Sequence, residues 1–148
     1  MTESLSPAGG VFLLGLGAQK AGTTWLHEQL QRRADTDFGV LKEYHVHDAR
    51  TMPELARFRR IEMSLSQPRS WIQPRSWMRQ LFIRQPDLYF DYFAWLLRRP
   101  RRKGCSVTLT GDITPSYAAL SANTLQLIQS GFRQRSISVR PVFLMGDV

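Results

Sequence analysis

Near the start of the chain, between an apolar run and a helix-like stretch, stand Gly15-Leu16-Gly17-Ala18-Gln19-Lys20-Ala21-Gly22-Thr23-Thr24-Trp25. Glycines followed by a helix start make an anion site from main-chain N–H groups and the positive helix end. Lys20 adds a cation within the loop, and Thr23 and Thr24 add hydroxyl donors. Two phosphate-binding fingerprints test the pattern. A dinucleotide G-x-G-x-x-G needs glycine where Lys20 stands, so it fails. A G-x-x-x-x-G-K-[ST] loop starting at Gly17 places Gly22 correctly, but Thr23 takes the lysine position. The residues describe a phosphate-binding loop with a relocated cation.

Two further stretches carry chemistry. Lys42-Glu43-Tyr44-His45 sets an ammonium, a carboxylate and an imidazole beside the end of an expected strand. His45 and His47 alternate as on one strand face, with Asp48 adjacent. A metal would want such spacing, but the sequence supplies no third or fourth ligand. The expectation is no metal and a hydrogen-bonded role for His45. Gly111-Asp112-Ile113-Thr114-Pro115-Ser116-Tyr117 closes another expected strand, its proline fixing a turn at a helix start. Tyr117 reads equally as a core residue or as part of an acceptor wall.

The loop resembles that of the sulfotransferase family, in which x-K-x-G-T-T-x-L holds the 5′-phosphosulfate of 3′-phosphoadenylyl sulfate. Here it reads Gln19-Lys20-Ala21-Gly22-Thr23-Thr24-Trp25-Leu26, matching every defining position. Lys42-Glu43-Tyr44-His45 is similar to the K-E-x-H element of the carbohydrate-type and bacterial members. Gly111 to Tyr117 is similar to the family's G-[ED]-x-[TS]-P-x-Y segment near the acceptor.

The resemblance implies donor binding by residues 19–25 and catalysis by Lys20, Glu43, Lys42 and His45. Lys20 would stabilise charge on the bridging oxygen as it leaves. The amides from Ala21 to Thr24 and the threonine hydroxyls would cradle the 5′-phosphate. Glu43 would take the acceptor's proton, with His45 as second choice, and Lys42 would orient the acceptor or the transferring group. It implies 3′-phosphoadenylyl sulfate as donor, no metal, and a hydroxyl or amine acceptor, either a small molecule or a glycan.

The chain also departs from the family. The usual R-D-P-x-x-R-x-x-S segment, which grips the donor's 3′-phosphate, would begin after the last apolar run. Gly146 stands at its arginine and Val148 at its proline. The expectation is a sulfotransferase domain incomplete at its C-terminal side, binding donor weakly or not at all and so weak or inactive in transfer.

The elements positioning these groups follow from pattern. Val11 to Leu16 reads as a strand buried on both faces, and Thr23 to about Arg33 as a helix with Trp25, Leu26 and Leu30 on one face. Strands are further expected at Val40-Leu41, Ser106–Asp112 and Val139–Met145. Helices are expected over Met52–Leu65, Pro86–Arg99 and Tyr117–Gln129, the second with Leu88, Tyr92, Trp95 and Leu96 at helical spacing. Gln67-Pro-Arg-Ser-Trp71 and Gln73-Pro-Arg-Ser-Trp77 read as a duplicated loop element. The alternation predicts an α/β fold, a P-loop-like three-layer domain with a mainly parallel sheet. Residues 1–10 form a Ser/Pro/Gly leader, residues 11–148 the partial domain, and residues 50–103 a basic helical insertion.

A length of 148 residues suits one domain, and 43% hydrophobic residues argue against disorder. Single Cys105 excludes an internal disulfide. No apolar run approaches the ~20 residues that span a bilayer, and the start lacks a secretory pattern, so a cytoplasmic location is expected. The net charge of +8 is concentrated: residues 50–103 hold thirteen cations and four acids, the remainder seven and eight. The run Arg98-Arg99-Pro100-Arg101-Arg102-Lys103 suits an anionic ligand, although no nucleic-acid fingerprint accompanies it. Two other functions fit less of the sequence: another phosphate-loop enzyme (a kinase or nucleotide hydrolase), and a non-enzymatic polyanion-binding module built on residues 50–103.

Overall fold

The apolar run near the start forms the centre of the structure. In a computed structural model that describes residues 9–54, 74–99 and 104–146, β1 (Val11–Gly15) is buried along nearly its whole length. It pairs in parallel with β2 (Leu109–Ile113) on one side and β3 (Ser138–Val142) on the other. Val11 stands opposite Leu109 and Ser138, and Gly15 opposite Ile113 and Val142. The carboxyl ends of all three strands therefore lie together, where open parallel sheets receive their ligands.

Both faces of the sheet are covered. On one, Phe12 and Leu14 pack against α4 (Pro86–Arg98) and α5 (Ala122–Arg133). Phe12 stacks on Phe132 with centroids 4.0 Å apart and meets Phe93 edge-on at 4.9 Å. On the other face Leu13 and Ile113 pack with Phe38 against Leu26 and Leu30 of α1 (Thr23–Gln31). This is a mixed α/β structure around a small, open, parallel three-stranded sheet. Two more helices, α2 (His47–Thr51) and α3 (Pro74–Arg84), lie between α1 and α4 in the chain. Among the described residues no helix is long and apolar enough to cross a membrane.

Several expected elements shift. Val40-Leu41 forms no strand; only an isolated parallel bridge joins Thr36 to Leu109. Side chains satisfy this stretch instead: Gly39 N–H donates to Asp37 Oδ1 at 3.0 Å and Val40 N–H to Tyr92 Oη at 3.2 Å. Leu26 and Leu30 face the sheet, but Trp25 is 64% exposed, one helical step off the apolar stripe. In α4 the buried stripe is Tyr89, Phe93 and Leu96, while Trp95 is 52% exposed.

The helix expected from Tyr117 starts later. Pro115–Ala119 form a 3-10 turn, after which the Ser121 hydroxyl caps α5 by accepting from Thr124 N–H at 3.2 Å. The strand expected from Ser106 begins at Leu109 and reaches Ile113. The last strand ends at Val142, although its extension stays paired with the loop after β1: Ala18 N–H donates to Leu144 O at 2.9 Å and Leu144 N–H to Gly17 O at 2.8 Å. The second Pro-Arg-Ser-Trp copy, Pro74 to Trp77, is the first turn of α3 rather than a loop. The first copy, and the helix expected past Glu54, lie outside the described residues, as do the leader's first eight residues.

Candidate functional site

Three distant stretches of sequence meet at the carboxyl end of the sheet. Gln19, Lys20, Gly22, Thr23 and Thr24 line a cavity of about 400 Å³ together with Glu43, His45, Pro115 and Ser116. The loop leaves β1 and turns into α1 through Gly22, whose φ of 91° is a left-handed value that L side chains rarely adopt. A Cβ at Gly22 would meet nothing within 4 Å, so backbone conformation, not space, calls for glycine. No side chain caps α1. Its first-turn N–H groups, which no helix satisfies internally, sit at this cavity beside the exposed Lys20. Ala21 and Trp25 do not line it. Lys42 lines a neighbouring cavity with Glu43, His45 and Arg79; its Nζ donates to Thr24 Oγ1 at 2.5 Å and stands 3.9 Å from Glu43 Oε1.

The opposite wall is a chain of polar groups. His45 Nε2 lies 3.1 Å from Glu43 Oε2, and Nδ1 lies 2.7 Å from Asp48 Oδ2. The Ser116 hydroxyl donates to the same Asp48 oxygen. Asp48 is fully buried. Burial pushes its carboxyl up, but hydrogen bonds from His45 and Ser116 outweigh that and hold it below the usual range. For His45 burial acts to lower the midpoint, yet the bonds to Asp48 and Glu43 prevail and leave it raised. The arrangement is a carboxylate–imidazole–carboxylate relay. Its outer member, Glu43, faces the cavity, and its inner member is anchored to the 3-10 turn.

The two histidines separate. His45 takes a left-handed φ of 51° and enters the site, while His47 opens α2 and is buried against Tyr89 at a centroid distance of 4.6 Å. Burial pushes His47 down to about 3, so it stays neutral in the core. They do not share a strand face, because the chain has turned between them. Tyr117 is a core residue with no exposure.

Asp48 and Ser116 were not among the expected site residues. The signal for Asp48 was its place three residues after His45. Ser116 was visible only as part of the third motif. Of the basic run, Arg99 pairs with Asp37 and lies 4.9 Å over the Trp95 ring, and Arg98 lines a separate cleft with Arg33 and Arg135. Pro100 to Lys103 lie outside the described residues.

Comparison with known proteins finds no family model, no curated protein and no solved structure that matches this chain.

Proposed function

We propose that this chain is built for sulfuryl transfer from 3′-phosphoadenylyl sulfate to a hydroxyl or amine acceptor, on a P-loop-like domain. The observation that supports this most is the shared cavity, where Lys20, Thr23 and Thr24 face Glu43 and His45 from elements far apart in sequence. The loop and the α1 terminus suit the donor's 5′-phosphosulfate, since amide donors and a cation complement a dianion without protonating it.

In the reaction the acceptor oxygen or nitrogen forms a bond to sulfur while the bond from sulfur to the bridging oxygen breaks. The bridging oxygen departs with the electron pair, and Lys20 stabilises the charge that develops there. The acceptor's proton passes to Glu43. His45, held by Asp48 and Ser116, keeps that carboxylate oriented and shares the proton as it arrives. Lys42, tied to Thr24, links the donor side to the base.

Calorimetry with adenosine 3′,5′-bisphosphate tests this reading. The expected result is binding without Mg²⁺, weakened about tenfold or more by Lys20→Met, as for loss of one charge-assisted contact. Preference for ATP with Mg²⁺ would point instead to a kinase or nucleotide hydrolase. Binding of polyanions that survives Lys20→Met, with none of the bisphosphate, would point to a non-enzymatic module. Either result overturns the proposal.

A further inference from the structure

A buried carboxylate behind the site has no part in the chemistry above. Asp112, near the end of β2, has no exposure. Its Oδ2 accepts from the hydroxyls of Tyr89 and Tyr117, both at 2.8 Å. Its Oδ1 accepts from Thr114 Oγ1 at 2.6 Å and, more distantly, from Tyr44 N–H at 3.4 Å. Burial pushes this carboxyl up to about 6, against the hydrogen bonds that favour its charged form.

An ionised carboxylate only accepts, so each hydroxyl facing it must give its single proton to it. That leaves the hydroxyl lone pairs of Thr114 and Tyr117 for other donors. They are met by consecutive main-chain amides: Tyr44 N–H at 3.0 Å and His45 N–H at 3.5 Å on Thr114, and Val46 N–H at 3.1 Å on Tyr117. From the other side Arg79 donates to the carbonyls of Glu43 and Tyr44, at 3.0 and 2.9 Å. The segment so gripped contains the left-handed His45, a conformation that persists only where its surroundings over-determine it.

We propose that Asp112 is a positioning residue: through Thr114 and Tyr117 it fixes the backbone of residues 44–46, and so the direction in which Glu43 and His45 face the cavity. What the positioned groups then do rests on the sulfuryl-transfer reading; the positioning itself does not.

The two tyrosines allow a controlled test. Tyr89→Phe and Tyr117→Phe each delete one hydroxyl from the same carboxylate oxygen, but only the Tyr117 hydroxyl also accepts from Val46 N–H. Amide exchange and His45 ring titration are followed by NMR on the full chain. The expected result is Val46 exchange about tenfold faster in Tyr117→Phe than in Tyr89→Phe, with the His45 midpoint displaced in Tyr117→Phe alone. Equal behaviour of the two variants overturns the proposal.

Should Tyr117→Phe not fold, Thr114→Val against Thr114→Ser decides. Serine keeps the hydroxyl and should restore Tyr44 and His45 amide protection that valine loses, and equal exchange again overturns it. Adenosine 3′,5′-bisphosphate titrated into the same samples separates the two levels. Absence of binding in every form removes the sulfuryl-transfer reading while the exchange contrast stands. Binding without the contrast removes the positioning role alone.

Discussion

Replacing Asp48 by asparagine probes the relay most directly. The substitution keeps the shape and one acceptor oxygen beside His45 Nδ1 but removes the charge. A hydrogen bond to a charged group contributes about 1.5–3 kcal/mol, against about 0.5–1.5 kcal/mol for a neutral one. The loss to the imidazolium is therefore on the order of 1–1.5 kcal/mol, or about one pKa unit. Glu43 remains 3.1 Å from Nε2, but it is one-third exposed and screened, so it does not make up the difference. Burial of the ring is unchanged and continues to oppose the charge. His45 should therefore titrate lower in Asp48→Asn than in the unaltered chain.

Ring carbon–proton NMR against pH reads this without any ligand. The chain has three histidines. Burial lowers His27 and pushes His47 down to about 3, so the resonance with a midpoint above 6.5 belongs to His45. An unmoved midpoint in Asp48→Asn would refute the relay, because the Asp48 carboxylate 2.7 Å from Nδ1 is its inner charge.

Three other outcomes follow from the same coordinates. Since His45 is raised in the fold, its pairing stabilises fully below the unfolded value of 6.5 and fades as pH rises through the folded midpoint. His45→Asn should therefore lower the melting temperature more at about pH 5.5 than at about pH 8.5, and equal losses would contradict the ion pairing. At Gly146 an added Cβ would meet only Ala21, at an ordinary 3.6 Å. Gly146→Arg should fit and tighten adenosine 3′,5′-bisphosphate about 10- to 150-fold, one charge-assisted phosphate contact. Unchanged affinity in calorimetry would take the 3′-phosphate away from that side of the loop. Phe12→Ala empties the centre of the aromatic cluster and should cost about 3–5 kcal/mol in denaturant unfolding. A loss under about 1 kcal/mol would place the core elsewhere.

The local parts of this molecule are legible in its residues because their causes are local. The apolar run Val11 to Leu14 needs cover on both faces, which makes it the central strand. Gly22 supplies a left-handed turn and so delivers the α1 terminus to the cavity. Gln19, Lys20, Gly22, Thr23 and Thr24 line one cavity with Glu43 and His45.

Other features depend on partners that pattern does not reveal. Val40-Leu41 has strand-like side chains, but Asp37 and Tyr92 take up the amides that a ladder would use. Trp25 and Trp95 fit apolar spacing in sequence, yet one helical step of rotation exposes both. His45 and His47 are two residues apart and chemically alike, and a turn of backbone sends one to the site and the other to the core.

The sequence by itself determined the glycine-rich loop with its lysine and threonines, and a charge concentrated in residues 50–103. Tertiary structure decided which carboxylates act together. The parallel register of β2 on β1 carries Asp112 into the core and brings Ser116 to Asp48, across a separation of 68 residues. Residues so far apart in the chain interact only after the whole sheet has assembled. Burial then gives these short hydrogen bonds their strength, and burial is a property of the packed fold rather than of any motif.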